Sequence, residues 1–137
     1  VVWMQNVGMN IADKRKLYAE INRVLKPGGR FAFQEMAAGK AAPSYFPLPW
    51  ATDPADNFLV SAEEMRSVLG ESGFIAEVLE DTSDAHLSRT IANATPAASG
   101  QLSLAVFVDN LGQKAANARR SLEEGQVRLV RGVFRAK

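Results

Sequence analysis

Few side chains in this sequence are equipped for chemistry. There is no cysteine and a single histidine, His86, so disulfides, thiolate nucleophiles and thiolate metal sites are excluded and imidazole ligation has little to build on. His86 falls in the first turn of a predicted short helix, with no serine or cysteine nucleophile motif near it in sequence, and reads as a surface or packing residue. Glu35 stands near the end of the apolar run Arg30-Phe31-Ala32-Phe33-Gln34-Glu35-Met36. A carboxylate there lies where open α/β sheets bind ligands, beyond the carboxyl ends of their strands; the alternative is that it solvates the strand end. Tyr45, Phe46 and Trp50 lie among Pro43, Pro47, Pro49 and Pro54 in a loop-like stretch, 37–59. Loops of that length in compact domains are usually lids or binding segments, so the aromatics either face a ligand or pin the loop to the core.

The elements that would position these residues follow from period and punctuation. Residues 1–5 are β-branched, aromatic and apolar, so the chain is expected to begin inside a strand. Asp13 can cap a helix with Leu17, Ile21, Val24 and Leu25 along one face. Lys14, Arg15 and Lys16 crowd its first turn, where the macrodipole disfavours cations, and are expected on a solvated face. Lys26-Pro27-Gly28-Gly29 ends that helix in a tight turn, and 30–36 reads as a central strand apolar on both faces. Ser61 and Glu64 form a capping box for a helix with Met65, Val68 and Leu69 inward, stopped at Gly73. Residues 74–80 read as an edge or near-edge strand, with Phe74, Ala76, Val78 and Glu80 on one face and Ile75, Glu77 and Leu79 on the other. Asp84 is expected to cap a short helix reaching Thr95, and 102–108 is apolar. Asp109 and Asn110 are expected to cap a helix reaching Glu124, with Leu111, Ala115, Ala118 and Leu122 on one side. Gly125 stops it, before a last strand at 127–135.

At 137 residues, 47% of them hydrophobic and 23% charged, the chain suits one globular domain with a core. Its net charge of +1 is unevenly spread: residues 53–84 carry nine acidic side chains against one basic, whereas the basic excess lies at the two ends. Neither basic segment interleaves its cations with aromatics on one face, so nucleic acid is not an expected partner. No apolar run approaches the roughly 20 residues of a membrane span, and residues 1–20 show no basic region followed by an apolar run of the kind a signal peptide has. A cytoplasmic protein is expected.

The phrase Arg23-Val24-Leu25-Lys26-Pro27-Gly28-Gly29-Arg30-Phe31-Ala32-Phe33 resembles the turn into the fifth strand of class I S-adenosylmethionine-dependent methyltransferases, particularly those acting on small molecules. Residues 6–16 resemble the loop after the fourth strand in the glycine, sarcosine and ubiquinone-pathway enzymes. Residues 61–81 and 117–135 resemble the remaining helices and strands, so the resemblance covers nearly all of the chain. It implies an α/β Rossmann-like fold with four strands in the order 4-5-7-6 of the parent sheet, the last antiparallel, flanked by helices. It also implies that residues 1–137 are the C-terminal half of the domain, without the first three strands, their glycine-rich cofactor turn and the acidic residue that holds the ribose. Met4, Gln5 and Met9 then fall near the methionine end of S-adenosylmethionine, while Glu35, Tyr45, Phe46 and Trp50 fall where substrate would lie; no metal is implied.

Three functions follow as expectations. One is a methyltransferase-derived fragment that does not turn over alone and binds S-adenosylmethionine no better than roughly millimolar. Another is a small-molecule-binding or oligomeric scaffold module, which needs a closed pocket lined by Tyr45, Phe46 and Trp50. The third is half of an enzyme completed by a partner chain carrying the missing N-terminal half. The unpaired edge of residues 1–5 is further expected to form a two-fold homodimer by antiparallel pairing with its own copy.

Overall fold

The computed structural model describes residues 1–43, 45–92 and 109–137. β1 (Val2–Gln5) lies parallel to β2 (Arg30–Ala38), with Val2 opposite Phe31 and Gln5 opposite Gln34, and α1 (Lys14–Val24) makes the crossover between them. β4 (Val127–Ala136) inserts between β2 and β3 (Phe74–Asp81) and is antiparallel to both, giving the order β1-β2-β4-β3. This is the expected 4-5-7-6 order with its reversed last strand, and β3 is an edge strand as expected.

The turn before β2 needs its glycines. Gly28 adopts φ +74°, a left-handed conformation that side chains resist, and its N–H donates to the carbonyl of Ala136 at 3.1 Å. β2 then alternates. Phe31, Phe33, Glu35 and Ala37 are buried on one face, while Ala32, Gln34, Met36 and Ala38 are half-buried on the other. The first face packs against Tyr18 and Ile21 of α1, Met65 and Leu69 of α2 (Ala62–Glu71), and Phe74, Val130, Phe134 and Ala136 of the neighbouring strands. Four phenylalanines form the centre of this core, with Phe31 and Phe33 rings 5.1 Å apart and Phe33 and Phe134 stacked at 5.8 Å. Each such ring contributes about 1.5–3 kcal/mol on burial. α2 starts with the capping box expected at Ser61 and Glu64: Ser61 Oγ accepts from the Glu64 N–H, and the Glu64 carboxylate accepts from the Ser61 N–H.

The opposite face is covered only in part. α3 (Ser83–Ala92) and α4 (Leu111–Glu123) shelter Val127 and Leu129 beside Leu122 and Ser83, whose Oγ accepts from the Leu129 N–H at 2.8 Å. Among the described residues, Trp3, Ala32, Gln34, Val78 and Val133 share a more open stretch of the sheet.

Five local expectations are corrected. Tyr18 rather than Val24 fills the buried side of α1; Val24 is 59% exposed, because the inward stripe runs through Lys14, Tyr18 and Ile21. Lys14 is buried, not solvated. A bulge between Ala76 and Val78 breaks the alternation of β3, so Leu79 joins Phe74 and Ala76 on the core while Val78 moves to the open face. Asp84 sits inside the first turn of α3, and the side chain of Asp81 takes the Ser83 N–H instead. Asn110 precedes α4 at φ +55° with no capping hydrogen bond from its side chain. The small-residue break 96–100, the apolar stretch 102–108 and the end of the helix at Thr95 lie outside the described residues. No described helix is long and apolar enough to cross a membrane.

Candidate functional site

A cleft opens beyond the carboxyl ends of β1 and β2, where parallel strands leave room for a ligand. Asn6 takes φ +52° directly after β1, its N–H still bonded to the carbonyl of Gln34 at 3.0 Å, and turns the chain into a 3-10 turn at Gly8–Asn10. Asn6, Met9 and Asn10 form one lip of the cleft, Pro49 and Trp50 of the long loop form the other, and Met36 and Ala118 line it further in. Its volume of about 460 Å³ is that of a small-molecule site. The described residues lining it include no ionisable side chain. Two carboxamides can donate and accept hydrogen bonds, two thioethers offer soft, polarisable contact, and an indole can face a cation. Such a set is suited to orienting a ligand with an apolar or soft cationic part.

The long loop is fastened at several points. Tyr45 Oη donates to the Glu124 carboxylate at 2.8 Å, and its ring lies under the Arg120 guanidinium, 4.1 Å from the centroid. Asn117 Nδ2 donates to the carbonyl of Pro47 at 3.0 Å, and Leu48 is fully buried. Tyr45 therefore pins the loop to α4, and Phe46, half-buried before a cis bond to Pro47, is not part of the cleft lining. Trp50 lines the cleft while its Nε1 donates to Asn57 Oδ1 at 2.9 Å. Of the residues placed near a cofactor, Met9 lines the cleft, Met4 is buried in the core, and Gln5 is exposed along β1.

Glu35 is 1% exposed. Its carboxylate accepts from the N–H groups of Val7 at 3.0 Å and Gly8 at 2.8 Å, and so holds the lip of the cleft from beneath rather than solvating a strand end. Burial pushes its pKa up, opposed by those two N–H groups and by the charge of Lys14. Lys14, which no sequence motif marks as a site residue, donates from Nζ to the carbonyls of Gly8 at 2.8 Å, Phe58 at 2.7 Å and Ile11. Desolvation lowers its pKa, and Glu35 opposes that. The one signal available in the sequence was its cost: a cation in the first turn of a helix is disfavoured and needs another reason to be there.

A smaller cavity of about 170 Å³ adjoins the cleft through Met36 and Ala118 and is lined by His86, Leu87 and Arg119 among others. On the open sheet face a further hollow of about 390 Å³ surrounds Trp3, where Glu80 and Arg131 pair with each other at 2.7 Å. Among the described residues no cluster of histidine, aspartate or glutamate could hold a metal ion.

The fold and cleft define a class. A family profile described as "Methyltransferase domain" matches residues 1–33, that is, β1, the cleft lip, α1 and the start of β2. Over 98% of this chain the structure superposes on a geranyl diphosphate methyltransferase in complex with S-adenosylmethionine, with a TM-score of 0.70 and 16% identity, covering 50% of that chain. The geranyl diphosphate C-methyltransferase of Streptomyces coelicolor A3(2), solved with Mg2+, geranyl diphosphate and S-adenosyl-L-homocysteine, matches 98% of this chain and 46% of its own, with a TM-score of 0.69 and 19% identity. A protein of Galdieria sulphuraria described as a sarcosine dimethylglycine methyltransferase matches 97% of this chain and 51% of its own, with a TM-score of 0.61 and 17% identity. No curated protein matches the sequence. The chain therefore has the fold of a class I S-adenosylmethionine-dependent methyltransferase, as the resemblance implied, and spans about half the length of the solved structures it matches, in keeping with a C-terminal half.

The donor set fits one end of such a cofactor. Met9, Met36, Trp50 and the amides of Asn6 and Asn10 suit the soft, positively charged methyl-bearing sulfur and its neighbouring polar groups. Among the described residues lining the cleft none matches the adenosine end, and the ten glycines of residues 1–137 include no Gly-x-Gly sequence.

Proposed function

We propose that this chain is the substrate-side half of a small-molecule methyltransferase site, and that it does not turn over until strands carrying a glycine-rich turn and a ribose-binding acid complete it. The observation that carries this reading is the cleft beyond β1 and β2, with Met9 on one lip, Trp50 on the other and, among the described residues, no ionisable side chain in its lining. When bound, S-adenosylmethionine supplies a methyl group on a positively charged sulfur, which leaves with the bonding pair as a neutral thioether when a nucleophile attacks the methyl carbon. Positive charge is dispersed in that step, so a lining of apolar and amide groups favours it more than a hydrated or charged one would. The roles of this chain are to orient the methyl end with Asn6 and Asn10, to exclude water with Met36 and Trp50, and to hold the substrate under the long loop.

Isothermal titration of the chain with S-adenosylmethionine tests the reading. An affinity no tighter than roughly millimolar is expected, because the adenosine anchors are missing while the cost of association must still be met. A micromolar isotherm overturns the claim of incompleteness, and a millimolar interaction unaffected by Trp50→Ala overturns the assignment of the cleft. The scaffold reading asks for a pocket lined by Tyr45, Phe46 and Trp50, and only Trp50 lines the cleft, which weakens it.

A second reading concerns what pairs with β1. Among the described residues β1 pairs on one side only, and Val1 and Trp3 beside that edge are 92% and 61% exposed. Antiparallel pairing of two copies through residues 1–5 would cover both. Sedimentation of the wild type and of Trp3→Lys decides. A concentration-dependent dimer weakened by Trp3→Lys supports it; a wild-type monomer at micromolar concentration, or an unaffected dimer, removes it and leaves the edge to a completing half-domain.

A further inference from the structure

We infer that Lys14 is the positioning residue of the cleft: its ammonium ties the lip after β1 to the lip carrying Trp50, so that both face a ligand in fixed register. An ammonium has three N–H donors and no acceptor, and Lys14 has three carbonyl partners. Two, Gly8 and Ile11, belong to the loop after β1; the third, Phe58, is 44 residues away at the end of the long loop. The backbone of Phe58 answers in kind. Its N–H donates to the carbonyl of Met9 on the first lip at 3.1 Å while its carbonyl accepts from Lys14 at the start of α1 at 2.7 Å, so both of its main-chain polar groups are held by the segment from Met9 to Lys14. The next residue back, Asn57, accepts the Nε1 proton of Trp50 at 2.9 Å. Two hydrogen bonds joined by the Asn57–Phe58 peptide bond thus connect Lys14 to the indole in the cleft.

Beneath the lip, Glu35 takes the N–H groups of Val7 and Gly8. The first lip is therefore clamped between a buried anion on its N–H side and a buried cation on its carbonyl side. Helix formation does not ask for this lysine, since the macrodipole opposes a cation at that end and Asp13 already caps the helix by accepting from the Lys16 N–H at 2.9 Å. Breaking the clamp would leave the carbonyls of Ile11 and Phe58 without the lysine donor, that of Gly8 with the Ile11 N–H alone, and a buried Glu35 without its counter-charge, and would free Trp50 to swing away from Met9. Lys14 does not line the cleft; it acts through the loops, and the inference rests on the proposed function only for what the cleft binds.

The test uses the full chain in a Trp3→Phe background, which leaves Trp50 as the one indole. Because the sequence has no cysteine, Lys14→Cys introduces a unique thiol. Alkylation of that thiol with 2-bromoethylamine while the chain is unfolded, followed by refolding, restores an ammonium on a stem of nearly the original length. Lys14→Met and unmodified Lys14→Cys are expected to raise iodide quenching of Trp50 at least threefold and amide exchange at Val7 and Gly8 at least tenfold, and aminoethylation is expected to restore both. Should Lys14→Met fail to fold, Lys14→Gln, which keeps two donors on a shorter stem, is read the same way. Folded variants whose Trp50 quenching and amide exchange match wild type overturn the inference, as does an aminoethylated chain that folds but stays loose. S-adenosyl-L-homocysteine at millimolar concentration provides the ligand arm, with at least a tenfold weaker Trp50 response expected from Lys14→Met. If wild type does not respond either, that accords with the weak affinity expected of an incomplete site, and the quenching and exchange data decide the role of Lys14; the proposed function falls instead on a micromolar isotherm or on a response unaffected by Trp50→Ala.

Discussion

Lys14 and Glu35 hold the same residue from opposite sides: Lys14 Nζ donates to the carbonyl of Gly8 at 2.8 Å, and the Glu35 carboxylate accepts from the Gly8 N–H at the same distance. A single peptide segment at the mouth of the cleft is thereby fixed by two buried charges of opposite sign. Neither charge would be tolerated alone, because an unpaired buried ion costs several kcal/mol.

Glu35→Gln is accordingly expected to destabilise the fold. The amide that replaces one carboxylate oxygen brings N–H donors against the N–H groups of Val7 or Gly8, and the charge facing Lys14 is lost. A loss of about 2–4 kcal/mol, read by urea unfolding, is expected from such a change. An unchanged midpoint would return Glu35 to the role of a solvated strand end.

Gly132→Ala should disturb the core from the sheet itself. A Cβ there would come within 2.3–3.0 Å of three ring atoms of Phe33, too close for the ring to remain where it stacks on Phe134. Overpacking of this kind costs about 1–3 kcal/mol. The ring is the stated obstacle, so Phe33→Leu should make the same glycine substitution less costly. A double-mutant cycle by chemical denaturation measures that coupling, and strict additivity would refute the contact.

Tyr18 governs one alkaline limb of stability. It is 1% exposed, and burial, reinforced by the Glu35 charge, raises its pKa above the ordinary 10.0. The folded state therefore keeps the phenol proton that the unfolded chain gives up. Its stabilising share is complete below pH 10 and is lost as pH climbs from there towards the folded value. Lys14 works the other way, since its folded pKa lies below 10.5 and stability grows through the window beneath that value. Tyr18→Phe should thus flatten the decline of stability between about pH 10 and 11 relative to its own value at pH 8, measured by urea midpoints. An identical decline in both proteins would show that Tyr18 is not its source.

Strand order was legible through the family resemblance, whereas the turn before β2 and the cap of α2 rest on local rules: Gly28 at positive φ after Pro27, and the reciprocal bonds of Ser61 and Glu64. The bulge in β3 was not, since neither glycine nor proline marks it, and it reversed Val78 and Leu79. In the site, Met9 was named through the family resemblance and Trp50 through its place in the long loop, and both line the cleft, whereas Tyr45 could not be told from a ligand contact until its partners on α4 were visible. Lys14 was hidden for a stronger reason: Arg15 and Lys16 share its turn, so residue type alone does not single it out, and its third acceptor, Phe58, is brought near by the fold alone.

Tyr45 and Asn117 should control the long loop without controlling the fold. Tyr45 reaches Glu124 and Arg120 on the exposed side of α4, where Arg120 and Glu124 also pair directly with each other at 2.9 Å. Asn117 holds the same segment through Pro47, within the described part of a loop otherwise anchored by buried Leu48. Exposed pairs of this kind contribute little to global stability, so Tyr45→Phe and Asn117→Ala should each leave the urea midpoint nearly unchanged. Local opening is a different quantity, set by the contacts of the segment itself. Limited proteolysis of wild type, both single variants and the double variant should show cleavage within 39–59 accelerating several-fold in each single variant and further in the double. A midpoint shift as large as that of Glu35→Gln would mean that the loop is part of the cooperative core, and unchanged cleavage would mean that Leu48 alone holds it.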